Sequence, residues 1–103
     1  MTAIFRINEN DVPWFEYDDA IRVKALTRNV PGVPPVQFVE YGPGHTDPVH
    51  SHDTDEFFIV TEGSLWLDDN ENREGSVVFV PRGTDYAVRA GEMGARYFRV
   101  VMR

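Results

Sequence analysis

The chain contains no cysteine, which removes disulfides and thiolate metal sites from consideration. It has no apolar run of membrane-spanning length, so no membrane partner is expected. The opening stretch from Met1 to Asn10 has neither a basic start nor a continuous apolar segment, and cytoplasmic residence is the resulting expectation. Basic residues are in the minority, 10 against 17 acidic ones, and Arg22, Lys24, Arg28, Arg73, Arg82, Arg89, Arg96 and Arg99 are scattered along the chain. A surface that tracks phosphates needs clustered positive charge, so nucleic acid is not an expected partner.

What is present suits a folded domain. The 103 residues are 42% hydrophobic and 13% aromatic, a length and composition that fit one core and no more, giving a single domain over 1–103 with 1–20 as an N-terminal strand and arm. Short apolar runs rich in Val, Ile, Phe, Tyr and Thr recur about every 8–12 residues, the spacing of a sandwich or barrel. Strands are predicted near 4–7, 21–28, 36–42, 49–52, 56–61, 64–68, 76–81 and 85–90, with a further one at 94–102. Breaks fall at Pro31-Gly32, Gly42-Pro43-Gly44, Glu62-Gly63, Asp69 to Asn72, Arg82-Gly83 and Ala90-Gly91, all turn chemistry. Between Trp14 and Leu26 a turn followed by a strand is preferred over a helix, because Ile21, Val23, Ala25 and Thr27 alternate with Arg22, Lys24 and Leu26.

All three histidines lie within a few residues of one another, at 45, 50 and 52. In a strand, His50 and His52 share a face because side chains alternate sides with period two. Glu56 follows a polar turn, Asp53-Thr54-Asp55, and a hairpin there returns its carboxylate to the two imidazoles. Two neutral nitrogens and one anionic oxygen form a facial set suited to Fe(II) and similar ions, with other positions left open. His45 has the opposite parity and is expected at the surface, unless Pro48 shifts the register. Tyr41, Phe58, Val60, Val88 and Phe98 are candidates to line an apolar pocket or simply to fill the barrel. Phe57 and Ile59, which alternate with Glu56, Phe58 and Val60, make the same strand apolar on its other face, and something must cover that face.

From Gly44 the spacing is five residues to His50, one to His52, three to Glu56 and six to Gly63, followed later by Gly75, five residues, Pro81, one residue and Gly83. This pattern resembles the two motifs of the cupin superfamily, in particular small single-domain metal-binding cupins. The resemblance implies an all-β fold, an antiparallel double-stranded β-helix or jelly-roll barrel, and one divalent ion (Fe, Mn, Ni or Zn) on His50, His52 and Glu56. It also implies a homodimer. The chain departs from the motif where a third histidine and an asparagine are usual: Tyr86 and Ala90 stand there. Tyr86 is either a fourth ligand, its phenol pKa brought down from about 10 by the cation, or a neutral gate and hydrogen-bond donor with water on the ion.

Such a fold hosts many activities and does not choose among them. An open-sided ion in an apolar barrel suits an enzyme of oxygenase, isomerase or lyase type acting on a small oxygenated molecule, with Glu56 and Tyr86 nearest the chemistry. The rival is a non-catalytic module that binds a metabolite or carbohydrate.

Overall fold

The computed structural model describes residues 3–102. After a 3-10 turn at Glu9–Asp11 come eight strands: β1 (Phe15–Glu16), β2 (Ile21–Ala25), β3 (Val36–Tyr41), β4 (Thr46–His50), β5 (Asp55–Leu67), β6 (Asn70–Arg73), β7 (Val77–Val80) and β8 (Tyr86–Met102). All pairings are antiparallel, in the order β1-β2-β3-β8-β5-β6, with β4 added against β8 and β7 against β5. The sheet folds over on itself as a jelly-roll barrel, in agreement with the all-β expectation. Among the described residues no helix is long and apolar enough to cross a membrane.

The strand map differs from the sequence expectation in several places, and the strand expected at 49–52 lies instead at Thr46–His50, leaving His52 beyond its end. Residues 4–7 form no strand, and the first one is the short β1. The runs at 56–61 and 64–68 are one strand, β5, and those at 85–90 and 94–102 are one strand, β8. Glu62-Gly63 and Ala90-Gly91 therefore do not end strands. The pairing of β5 with β8 slips between Val60 and Glu62 and again between Gly63 and Leu65, so the two strands bend together through bulges. Finally, Asn70–Arg73, read as part of a turn, forms β6 against Ser64–Leu67.

The bulges exchange inside for outside. On β8 the buried positions are Tyr86, Val88 and Ala90 before the bend and Ala95 and Tyr97 after it, so inward parity changes from even to odd. On β5 Glu56, Phe58 and Val60 point inward before the bend and Leu65 after it. Inside the barrel, Val23, Val39, Tyr97 and Val60 lie side by side across β2, β3, β8 and β5. Outside, the row Lys24, Phe38, Phe98, Ile59 and Val77 is equally continuous.

Half of that outer row is covered by the N-terminal arm. Trp14 stacks on Phe38 at 5.6 Å, and Phe38 packs against Phe98 at 4.7 Å. The Lys24 ammonium donates to both the carboxylate and the backbone carbonyl of Glu9, each at 2.7 Å, while lying 4.6 Å from the Trp14 ring. A lysine only 6% exposed is tolerable because every element of its surroundings is a counter-charge, an acceptor or a π-face. The other half, Phe57, Ile59, Val77 and Phe79 on β5 and β7, has no such cover, and Val77 remains 63% exposed.

Candidate metal and ligand site

The two motif loops are tied together by backbone chemistry. The Gly83 N–H donates to the His52 carbonyl at 2.8 Å, and the Arg82 N–H donates to the Asp55 carboxylate at 2.8 Å. These bonds hold the loop that carries His52 against the turn that precedes Tyr86. Asp55, expected in a turn, is the first residue of β5 and braces the site, and the Asp53 carbonyl accepts from the Arg82 side chain at 3.2 Å.

His50 ends β4 directly opposite Tyr86 of β8, and their rings lie 4.7 Å apart. His52 follows just beyond the strand, edge-on to His50 at 5.0 Å. The β4 pairing slips between Asp47 and His50, across Pro48, so both Asp47 and His50 face the pocket although they are an odd number of residues apart. His50 Nδ1 is 2.8 Å from the Pro48 carbonyl, which can only accept, so Nδ1 carries the hydrogen. In the neutral ring Nε2 then keeps its lone pair, which is how metal-binding imidazoles are commonly oriented.

Glu56 is 0% exposed. Its Oε2 accepts a hydrogen bond from Arg99 Nε, and Arg99 Nη1 donates to the Gln37 amide oxygen at 3.0 Å. Its Oε1 has no hydrogen-bond partner among the described residues and lies 3.6 Å from His52 Nε2. Burial alone would pull the Arg99 pKa down, but the hydrogen bond and charge of Glu56 raise it, so the guanidinium is fixed as a cation. For Tyr86 the balance runs the other way. Burial, with the negative charge of Glu56 nearby, pushes its phenol up to about 12, so it is a protonated donor at neutral pH.

Can these groups hold a divalent ion? The donor chemistry fits: a buried carboxylate oxygen without a partner and an imidazole with its lone pair directed away from Pro48, beside a second imidazole. As arranged, no three His, Asp or Glu side chains among the described residues are grouped closely enough to enclose an ion. Arg99 occupies one oxygen of the Glu56 carboxylate and supplies its counter-charge, and the other oxygen remains free.

His50, His52, Tyr86 and Arg99 line a pocket of about 570 Å³ that opens to solvent, with Glu56 buried behind them. Its walls include Val23, Val39, Phe58, Leu65 and Val88, with Phe15 and Tyr17 at the rim. Of the aromatic residues proposed for the lining, Tyr41 and Phe58 are there and Phe98 is not, because the β8 bend turns it to the outer face. Val60 belongs to the core. Opposite the imidazoles, Tyr41 donates to Asp47 at 2.7 Å, and Asp47 also meets His45 Nε2 at 2.9 Å. His45 is therefore not a free surface residue but packs behind the wall, 4.8 Å from the Tyr41 ring. Burial, Tyr97 and Asp47 all drive the Tyr41 pKa upward, so this phenol too stays protonated.

Sequence reasoning missed Arg99, Gln37, Arg28 and Asp47 as pocket residues. The available signal for Arg99 was a charge at an alternate position of an apolar strand, but it identifies the inner face only when the parity change at the bend is known.

Comparison with known proteins agrees with this architecture. No curated protein matches the sequence. Among solved structures, KdgF from Halomonas sp. superposes with a TM-score of 0.79 at 18% identity, covering 97% of this chain and 95% of that one. An RmlC-like cupin protein from Ralstonia eutropha JMP134 gives 0.82 at 19% identity over 96% and 68% of the two chains. The polyketide cyclase RemF from Streptomyces resistomycificus gives 0.76 at 23% identity over 96% and 78%. At these identities the likeness is one of fold. The model of the cupin domain matches residues 37–101, the span from Gln37 through both motifs and nearly to the end of β8. With that match over more than half its length, the chain belongs to the cupin family.

Proposed function

We propose that this cupin is a metal-dependent enzyme acting on a small oxygenated organic molecule, with one divalent ion (Fe, Mn, Ni or Zn) on His50, His52 and Glu56. The observation that carries this reading is the partnerless Glu56 Oε1, wholly buried and 3.6 Å from His52, whose imidazole lines an open, largely apolar pocket. When bound, the ion supplies Lewis acidity toward a substrate oxygen. The protein's own groups do the rest. The apolar walls orient the substrate and exclude water from it. Tyr86, protonated at working pH, donates a hydrogen bond to a substrate oxygen and is the nearest proton source. Arg99 fixes the direction of the Glu56 carboxylate.

We assign Tyr86 the donor role, in keeping with the burial that raises its phenol pKa in the metal-free protein. Tyr86→Phe is expected to leave ion affinity within about threefold while weakening ligand binding about fivefold, the value of one hydrogen bond. Metal analysis alongside calorimetry checks both numbers, and a variant that purifies without metal would make Tyr86 a ligand. Turnover itself is tested by supplying Fe(II), Mn(II), Ni(II) or Zn(II) and following oxygen uptake and product formation over a panel of small acids, diketones and phenols. Saturable binding with no product from any of them supports instead the second reading, a metabolite-binding module. The resemblance in fold to a polyketide cyclase is one reason to prefer the enzyme.

The protein is further proposed to be a cytoplasmic homodimer. The uncovered Phe57, Ile59, Val77 and Phe79 patch and the exposed apolar arm residues Ile4, Phe5 and Ile7 support a second copy as its cover. Light scattering at micromolar concentration should give twice the 11.8 kDa chain mass. A monomer mass at that concentration contradicts it.

A further inference from the structure

The charges around the pocket are unevenly placed. Asp47 accepts a hydrogen bond from the Tyr41 hydroxyl and lies 2.9 Å from His45 Nε2, away from Arg28, while Glu56 pairs with Arg99. Arg28, which also lines the pocket, is exposed and has no ion-pair partner among the described residues. The one charge at that end of the pocket without a counter-charge beside it is therefore positive, although the whole chain carries a net charge of −7. A distant negative surface charge is screened within about 8 Å at physiological salt, so the local cation decides what the pocket attracts.

Free donors accompany that cation. Ala25, Gln37 and Arg99 lie in one row across β2, β3 and β8, and Arg28 follows β2 at the same end. Arg99 uses Nε for Glu56 and Nη1 for Gln37, and a guanidinium has five N–H groups, so three remain. Because the Gln37 oxygen faces Arg99, its amide NH₂ points elsewhere, and it has no acceptor among the described residues. One unpaired guanidinium with neutral amide and residual guanidinium N–H groups suits a monoanion with planar oxygens better than a dianionic phosphate.

We propose that the pocket takes a small monocarboxylate with an apolar body. Its carboxylate sits at the Arg28, Gln37 and Arg99 end, and its body lies against Val23, Val39 and Phe58. The inference deepens the proposed function and rests on its choice of pocket, not on the ion.

The test uses calorimetry with benzoate and its neutral, near-isosteric counterpart benzamide, on the protein as purified and after EDTA treatment. Benzoate is expected to bind about tenfold more tightly than benzamide in both preparations, as one charge-assisted contact allows. Arg28→Gln, at an exposed position, should erase most of that preference by weakening benzoate far more than benzamide. Equal affinities, or no benzoate binding in either preparation, overturn the proposal. A preference that vanishes with EDTA also overturns it, because the carboxylate then sits on the ion, and the metal reading survives. A preference that persists in EDTA, in a protein whose ion loading ignores the histidines, keeps the proposal and removes the metal reading.

Discussion

Arg99→Leu is expected to destabilise the metal-free protein by about 3 kcal/mol. Glu56 is wholly buried, and the substitution leaves its carboxylate without the counter-charge and hydrogen bond that now satisfy Oε2. Removing one partner of a buried pair typically costs about 3–5 kcal/mol, mostly through the charge left behind. The lower end applies here because the Arg99 side chain is 24% exposed and water can enter its place. Replacing both residues, Glu56→Leu with Arg99→Leu, should recover most of the loss, since an apolar pair carries no desolvation penalty. Urea unfolding of the two variants decides the matter. If the single variant falls within 0.5 kcal/mol of the parent, roughly the spread of a neutral surface change, the pair contributes nothing of the kind described.

A second outcome separates the structural role of Arg99 from its relation to the ion. If a divalent ion and the guanidinium serve the same carboxylate, cobalt should raise the melting temperature of Arg99→Leu by more than it raises that of the parent, because the ion replaces the missing cation. Equal shifts would show that the ion, wherever it binds, does not use Glu56.

Gly63→Ala is expected to be at least as damaging, at about 4 kcal/mol or more. Gly63 has φ +68°, and a Cβ built there falls 2.1 Å from the Gly94 carbonyl oxygen and 3.3 Å from the Ala95 Cα. The left-handed backbone alone costs an L-residue about 1–2 kcal/mol. The overlap is the larger part, because β8 backbone would have to retreat by about 1 Å inside a packed barrel, where neighbouring side chains leave it no room. Gly75 is the control: its φ is +88°, but nothing lies within 4 Å of an added Cβ. Gly75→Ala should therefore lose only the conformational part. Equal denaturation midpoints for the two variants would show that close approach of β5 and β8 is not what the glycine provides.

That same bend explains how far the sequence could be read. The nearness of His50, His52 and Glu56 was legible because they lie within seven positions, although His52 falls beyond the end of β4 and not on one strand with His50 as expected. The inner faces of β5 up to Val60 and of β8 up to Ala90 were legible because local alternation holds along them. Beyond the bulges, parity is set by tertiary pairing. Continuing the even series of Tyr86, Val88 and Ala90 selects Phe98 as an inward residue, whereas the bend selects Tyr97 and Arg99. The counter-charge of Glu56, 43 residues away in the chain, was hidden by that one change of phase. β6 was hidden differently. Asn70-Glu71-Asn72-Arg73 has the composition of a turn and becomes a strand because β5 offers it an edge, after a tight reversal through Asp68 at φ +53°.

The expectation of a strand at 4–7 failed: Ile4, Phe5 and Ile7 pair with no strand among the described residues and stay exposed. Those exposed side chains fit the proposed dimer, in which the arm and the uncovered β5 and β7 face would shield apolar surface together.

The central claim is that His50, His52 and Glu56 share one ion, and a cobalt titration of EDTA-stripped protein tests it most directly. The account predicts one ion per chain, with the affinity falling more than about 100-fold in the double variant His50→Ala/His52→Ala, since second-sphere losses alone cost about 10–100-fold. One-to-one loading of that variant with unchanged affinity would contradict it.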